Sequence, residues 1–82
     1  MPIQVYPNPT SGKVILEFVK LSSSASNIQV FDALGRVVLE TQVPEFTEKK
    51  DLDLSKLPLG VYWIQVYSEN VREQIIKVVK SE

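Results

Sequence analysis

Asp51 and Asp53 stand two residues apart in Asp51-Leu52-Asp53-Leu54, the one arrangement in the chain with the form of a reactive pair. Two carboxylates aimed the same way can exchange protons or help to hold a calcium ion. No third ligand lies near them in sequence and no calcium-loop motif is present, so the pair reads as solvated side chains on a strand. The chain has no histidine and no cysteine. Ser–His and Cys–His machinery, thiolate metal sites and disulfides are therefore ruled out by residue type. With no nucleophile–base pair, no catalytic, cofactor-binding or metal-binding residue is assigned, and the chain is not expected to be an enzyme.

The other candidates would bind rather than react. Trp63 alternates with Tyr62, Ile64 and Val66 and should face the other way. Exposed beside Tyr67, it could stack on a sugar or anchor a protein partner; alternatively, it covers the outer edge of the fold beneath a loop. Arg72, Lys77 and Lys80 make the last segment mildly basic, but Glu73 and Glu82 dilute that charge. A net charge of −1 and an isoelectric point near 5.4 argue against nucleic acid as a partner. Asp32 reads as the cap of its own turn. Asn8-Pro9-Thr10 has the spacing of a glycosylation acceptor, but its central proline blocks it.

The elements that would position these residues are all strands. Val14, Leu16 and Phe18 alternate with Ile15 and Glu17, the period of a strand with one buried side. The same reading gives Ile3 to Tyr6, Lys13 to Val19, Ile28 to Phe31, Val37 to Thr41, Asp51 to Leu54, Val61 to Tyr67 and Val71 to Val79. Between them lie turn signals: Pro7-Asn8-Pro9-Thr10-Ser11-Gly12, the loop Ser22 to Ser26, Asp32-Ala33-Leu34-Gly35-Arg36, Ser55-Lys56-Leu57-Pro58-Leu59-Gly60 and Ser68-Glu69-Asn70. Gly35 should take the positive φ that closes a type I turn with a bulge, and Asn70 tolerates the left-handed conformation. Short strands with no helical period indicate an all-β, immunoglobulin-like antiparallel sandwich of about seven strands. Its expected core is Val14, Leu16, Phe18, Ile28, Val30, Val38, Leu52, Leu54, Tyr62, Ile64, Val66, Ile76 and Val78.

Eighty-two residues, 44% hydrophobic and 23% charged, suit one folded domain spanning 1–82. A domain this small buries roughly 60–70% of its unfolded surface. The opening Met1-Pro2-Ile3-Gln4-Val5 is not a signal peptide, and no apolar run is long enough to span a bilayer, so membrane insertion is not expected. If the domain is exported, a segment upstream must direct its first step.

Four stretches carry a resemblance. Val5-Tyr6-Pro7-Asn8-Pro9-Thr10, followed by Gly12, opens the chain, and Val30-Phe31-Asp32-Ala33-Leu34-Gly35-Arg36-Val37 lies in the middle. Leu57-Pro58-Leu59-Gly60-Val61-Tyr62 begins the last hairpin, and Lys77-Val78-Val79-Lys80 comes near the end. In this order and spacing they resemble the type A C-terminal sorting domain of the type IX secretion system, the Por secretion tail family, over essentially the full length. The resemblance implies an immunoglobulin-like fold and an address rather than an activity. It implies a cargo N-terminal to the domain, a passage through the periplasm, recognition by the outer-membrane translocon of Bacteroidetes-type bacteria, and removal by a sortase-type surface protease. The cargo would then stay on the cell surface or be released.

Carried over residue by residue, the sorting motif positions are Pro7, Asn8, Pro9, Gly35, Arg36, Gly60, Tyr62, Lys77, Val78, Val79 and Lys80, with Val71 to Lys80 as the end needed for export. An accessible last strand would offer backbone groups for strand addition to a receptor, and an exposed edge strand could also pair two copies into a homodimer. Glu82 departs from the basic or neutral ending of the family and weakens the idea of a terminal positive cluster as the recognised feature. The rival expectation is a carbohydrate-binding or adhesive module, for which Trp63 with Tyr67 is the candidate platform.

Overall fold

The period-two runs are strands in the computed structural model, which describes residues 3–18, 25–68 and 71–81. In chain order they are β1 (Ile3–Tyr6), β2 (Lys13–Phe18), β3 (Ser26–Phe31), β4 (Val37–Val43), β5 (Lys49–Asp53), β6 (Gly60–Ser68) and β7 (Val71–Lys80). One sheet has the order β1-β2-β5 and the other the order β4-β3-β6-β7, with every neighbour antiparallel. The sheets pack face to face as an immunoglobulin-like sandwich, as the alternation predicts. Val19, Ser22-Ser23-Ser24 and Asn70 lie outside the described residues, as do the side chains of Arg72 and Glu73.

Alternation fills the space between the sheets. Val14 and Leu16 of β2, with Leu52 and Leu54, meet Ile28, Val30, Tyr62, Ile64, Val66 and Val78 of the opposite sheet. Leu16, Ile28, Leu54 and Ile64 are fully buried, and burial of each such side chain contributes roughly 1.5–3 kcal/mol. The core differs from expectation at its rim. Ile3 and Val43 are buried as well, whereas Phe18, Val38 and Ile76 are only partly covered.

Strand ends account for much of that difference. β3 begins at Ser26, which is buried and pairs with Val43, so β4 runs two residues past Thr41. β5 begins at Lys49, because Lys49 and Lys50 pair with Glu17 and Leu16. Those lysines lack the apolar alternation by which a strand is read from sequence. They sit on an edge strand, where charge is an advantage.

Candidate functional site

Two turns meet at one end of the sandwich. In the first, between β3 and β4, the Asp32 carboxylate takes up the local donors. Its Oδ1 accepts from the N–H groups of Leu34 and Arg36, both at 2.9 Å, and its Oδ2 accepts from Arg36 Nε at 2.8 Å. The Arg36 backbone N–H, followed by its guanidinium and the Leu34 N–H, holds the Asp32 carboxyl below the usual carboxylate range. Gly35 closes the turn at φ 86°, donating to the Asp32 carbonyl at 3.0 Å. Asp32 thus caps its own turn as expected. The turn leaves Leu34 79% exposed.

The second turn, Leu57-Pro58-Leu59-Gly60, is held from beneath by two buried side chains. Tyr62 donates its hydroxyl to the Pro58 carbonyl. Lys80 Nζ donates to the carbonyls of Leu57 and Ser55, at 2.6 and 3.2 Å. Gly60 leaves the turn at φ 147°, a value side chains rarely allow. Leu59 projects outward, 56% exposed. Between the two turns lies an open cleft of about 270 Å³, lined by Leu34, Arg36, Val38, Leu59, Val61 and Tyr62 among others. Leu34 and Leu59 were not among the residues singled out from sequence. Their signal was a large apolar side chain set inside a tight turn, where it cannot reach a core.

The opening motif lies elsewhere, along the free edge of β7. Asn8 Nδ2 donates to the Lys77 carbonyl at 2.9 Å, and Asn8 Oδ1 accepts from the Val79 N–H at 3.0 Å. The Thr10 N–H donates to the Val79 carbonyl at 2.9 Å, and the Thr10 carbonyl accepts from the Ser81 N–H at 2.8 Å. The Asn8 side chain therefore imitates one residue of a neighbouring strand, and Thr10 continues it as a short parallel bridge to Lys80. Both Tyr6–Pro7 and Asn8–Pro9 peptide bonds are cis. Thr10 is buried, its hydroxyl donating to the Lys13 carbonyl and accepting from the Gly12 N–H. Gln74 makes a second clasp, its Oε1 accepting from the Ile3 N–H at 2.9 Å.

These bonds alter the picture of an open last strand: β7 is covered from the Lys77 carbonyl to the Ser81 N–H. They also separate the two terminal lysines. Lys77 is exposed on the outer face, whereas Lys80 is 8% exposed and turned beneath the second turn. Val78 is a core residue.

The remaining candidates stay apart. Trp63 is 40% exposed on the outer face of the larger sheet, paired across strands with Phe31 and Lys77. Gln65 intervenes between it and Tyr67 on that face, so the two aromatics do not form a contiguous platform. Asp51 and Asp53 are both exposed, opposite Ile15 and Lys13. Asp53 accepts from the Ser55 N–H at 2.9 Å, and hydrogen bonds from Ser55, hydroxyl first, hold its carboxyl below the usual range. Among the described residues no group of three or more histidine, cysteine, aspartate or glutamate side chains gathers to hold a metal ion.

The sequence profile of one family, described as the secretion system C-terminal sorting domain, matches residues 4–81. A search of curated proteins found no match.

Proposed function

The chain belongs to the family of secretion system C-terminal sorting domains, and from that premise we propose how its parts divide the work of sorting. Its function is that of a signal domain that directs an attached cargo out of the cell through the type IX secretion system. The observation that carries this is the match over residues 4–81, which takes in both turns, the opening motif and the last strand. The family is one of sorting signals rather than catalysts. The product is delivered to the cell surface or the extracellular space.

In the finer reading, the domain follows a cargo in its parent protein, crosses the periplasm, and is recognised by the outer-membrane translocon before a surface protease removes it. Recognition falls on the cleft between the two turns. Gly35 and Gly60 shape it, Arg36 and the apolar pair Leu34 and Leu59 present it, and Tyr62 with Lys80 hold its floor from inside. Pro7, Asn8 and Pro9 act one step back, by locking β7, with Val78 in the core and Val79 at the edge, into the fold. Lys77 is the terminal lysine free to meet a partner directly. What supports this division is exposure: an apolar side chain held at a rigid turn offers a low-entropy anchor for a partner.

The test is an export assay. The chain is fused behind a fluorescent reporter with a signal peptide, in a bacterium that has a working type IX system. The intact domain is expected to carry the reporter outside. A Leu34→Glu, Leu59→Glu variant, folded by circular dichroism and thermal melting, is expected to leave it in the periplasm. Export of that variant at the intact level would reject the cleft, and retention of the intact fusion would reject the sorting reading.

A further inference from the structure

A sandwich with two open sheets has four edges; two of these are guarded along their length and a third, β7, over its second half. β1 is four residues long, and the Gln74 amide clasps Ile3 on its outer side. β5 is five residues long and carries Lys49, Lys50, Asp51 and Asp53. β7 is covered from Lys77 to Ser81 by Asn8 and Thr10. Short length, charge and cover are the ways in which edges resist pairing.

β4 has little such protection. It is seven residues long, Val-Val-Leu-Glu-Thr-Gln-Val, with one charged side chain and neither lysine nor proline. A bulge opposite the Val30–Phe31 step disturbs only its start. Among the described residues, no backbone hydrogen bond reaches its outer side.

Alternation identifies the groups left there. Asn8 and Thr10 use the outer groups of Lys77 and Val79, so these residues face away from β6. Carried through the regular pairing of β7, β6, β3 and β4, the alternation leaves Leu39, Thr41 and Val43 bonded to β3. The N–H and C=O groups of Glu40 and Gln42 then point outward. The Asp32 N–H, which donates to the Arg36 carbonyl at the hairpin end, fits the same alternation.

We propose that this edge pairs with β4 of a second copy, antiparallel and centred on Thr41. In that register Thr41 faces Thr41 of the second copy and Leu39 faces its Val43, both pairs on the core side. Glu40 faces the second copy's Gln42 on the outer side. Such pairs are favourable neighbours across antiparallel strands. Glu40 Oε2 already accepts from Gln29 Nε2 at 2.7 Å, which leaves Oε1 for the incoming Gln42 amide. A register centred on Glu40 would instead set two carboxylates against each other. The pairing is isologous, as closed twofold assembly requires, and joins the two larger sheets into one. It is independent of the sorting function, and its failure would leave that function untouched.

Sedimentation equilibrium over a concentration series tests it, alongside amide exchange at Glu40 and Gln42. The apparent mass is expected to rise from one chain toward two, and both amides to exchange more slowly as concentration increases. Gln42→Glu sets like charges opposite each other in two symmetric pairs, whereas Gln42→Lys sets opposite charges there. Neither touches the β3 ladder, and circular dichroism checks that both variants fold. The dissociation constant is expected to rise with the first and fall with the second, each by roughly twofold to thirtyfold. A single chain at every concentration would overturn the proposal, as would a dimer indifferent to both substitutions.

Discussion

Asn8 does the work of a strand residue with its side chain. Its amide sets an acceptor oxygen beside a donor nitrogen, and β7 presents the matching N–H and C=O two residues apart. Asn8→Ala leaves both to water, and stability to urea should fall by about 1–2 kcal/mol. Asn8→Asp keeps the acceptor but turns a carboxylate toward the Lys77 carbonyl, so it should restore no more than half of that loss. Unchanged unfolding midpoints in both variants would show that the cover on β7 contributes nothing. Asp32 and Asp53 act through proton binding. Both carboxyls lie below the usual range, Asp32 through the Arg36 backbone N–H first and Asp53 through the Ser55 hydroxyl first. The native state therefore binds these protons less readily than the unfolded chain, so the stabilisation is complete above about pH 5, a unit over the unfolded carboxyl value. It is lost as pH falls through the lower native values. Denaturant midpoints from neutral pH to about pH 2 should decline along this limb, and Asp32→Asn with Asp53→Asn should flatten it.

At the scale of elements, the turns set register and the edges set who can pair. Gly35 and Gly60 each have open space where a Cβ would stand, so substitution there is limited by backbone conformation alone. Gly35, at φ 86°, is near the left-handed region, where an alanine costs about 1–2 kcal/mol. Gly60, at φ 147°, lies in a region essentially reserved for glycine, where strain runs to about 1–3 kcal/mol. Gly60→Ala should therefore lower the melting temperature more than Gly35→Ala, and the reverse order would refute this account of the turns. The strands themselves were legible from alternation wherever one face is apolar, as in Val14, Leu16 and Phe18. They were less legible at Lys49 and Lys50, because a charged edge strand owes its place to pairing with β2 rather than to burial.

The whole molecule is closed by its last strand. β7 supplies Val78 to the core, packs Ile76 against it, holds the Leu57 carbonyl through Lys80 and receives the opening motif along its edge. A chain ending at Asn70 loses all of these at once, and it should show no cooperative thermal transition. A cooperative melt in that truncated chain would overturn this view of β7. The same truncation would abolish export through unfolding alone, so the loss of export on deleting the last strand does not by itself locate the recognised surface. Point changes at Leu34 and Leu59, which lie largely exposed outside the core, separate the two effects.

The sequence by itself determined what neighbours along the chain determine. Period-two alternation dictated strands, Gly35 marked a tight turn, Asp32 was placed to cap it, and the lack of histidine and cysteine removed whole classes of chemistry. The order of the motifs pointed to the family. Tertiary structure decided matters that depend on residues far apart in sequence. It set Asn8 against Val79, 71 positions away, and carried Lys80 inward to carbonyls 23 and 25 positions away. It brought Leu34 and Leu59 to one cleft and, among the described residues, left the outer side of β4 without a backbone partner. The reason is physical. Which face a strand buries follows from its own alternation, whereas which strands meet, and which edge goes uncovered, follows from how two sheets close around a shared core.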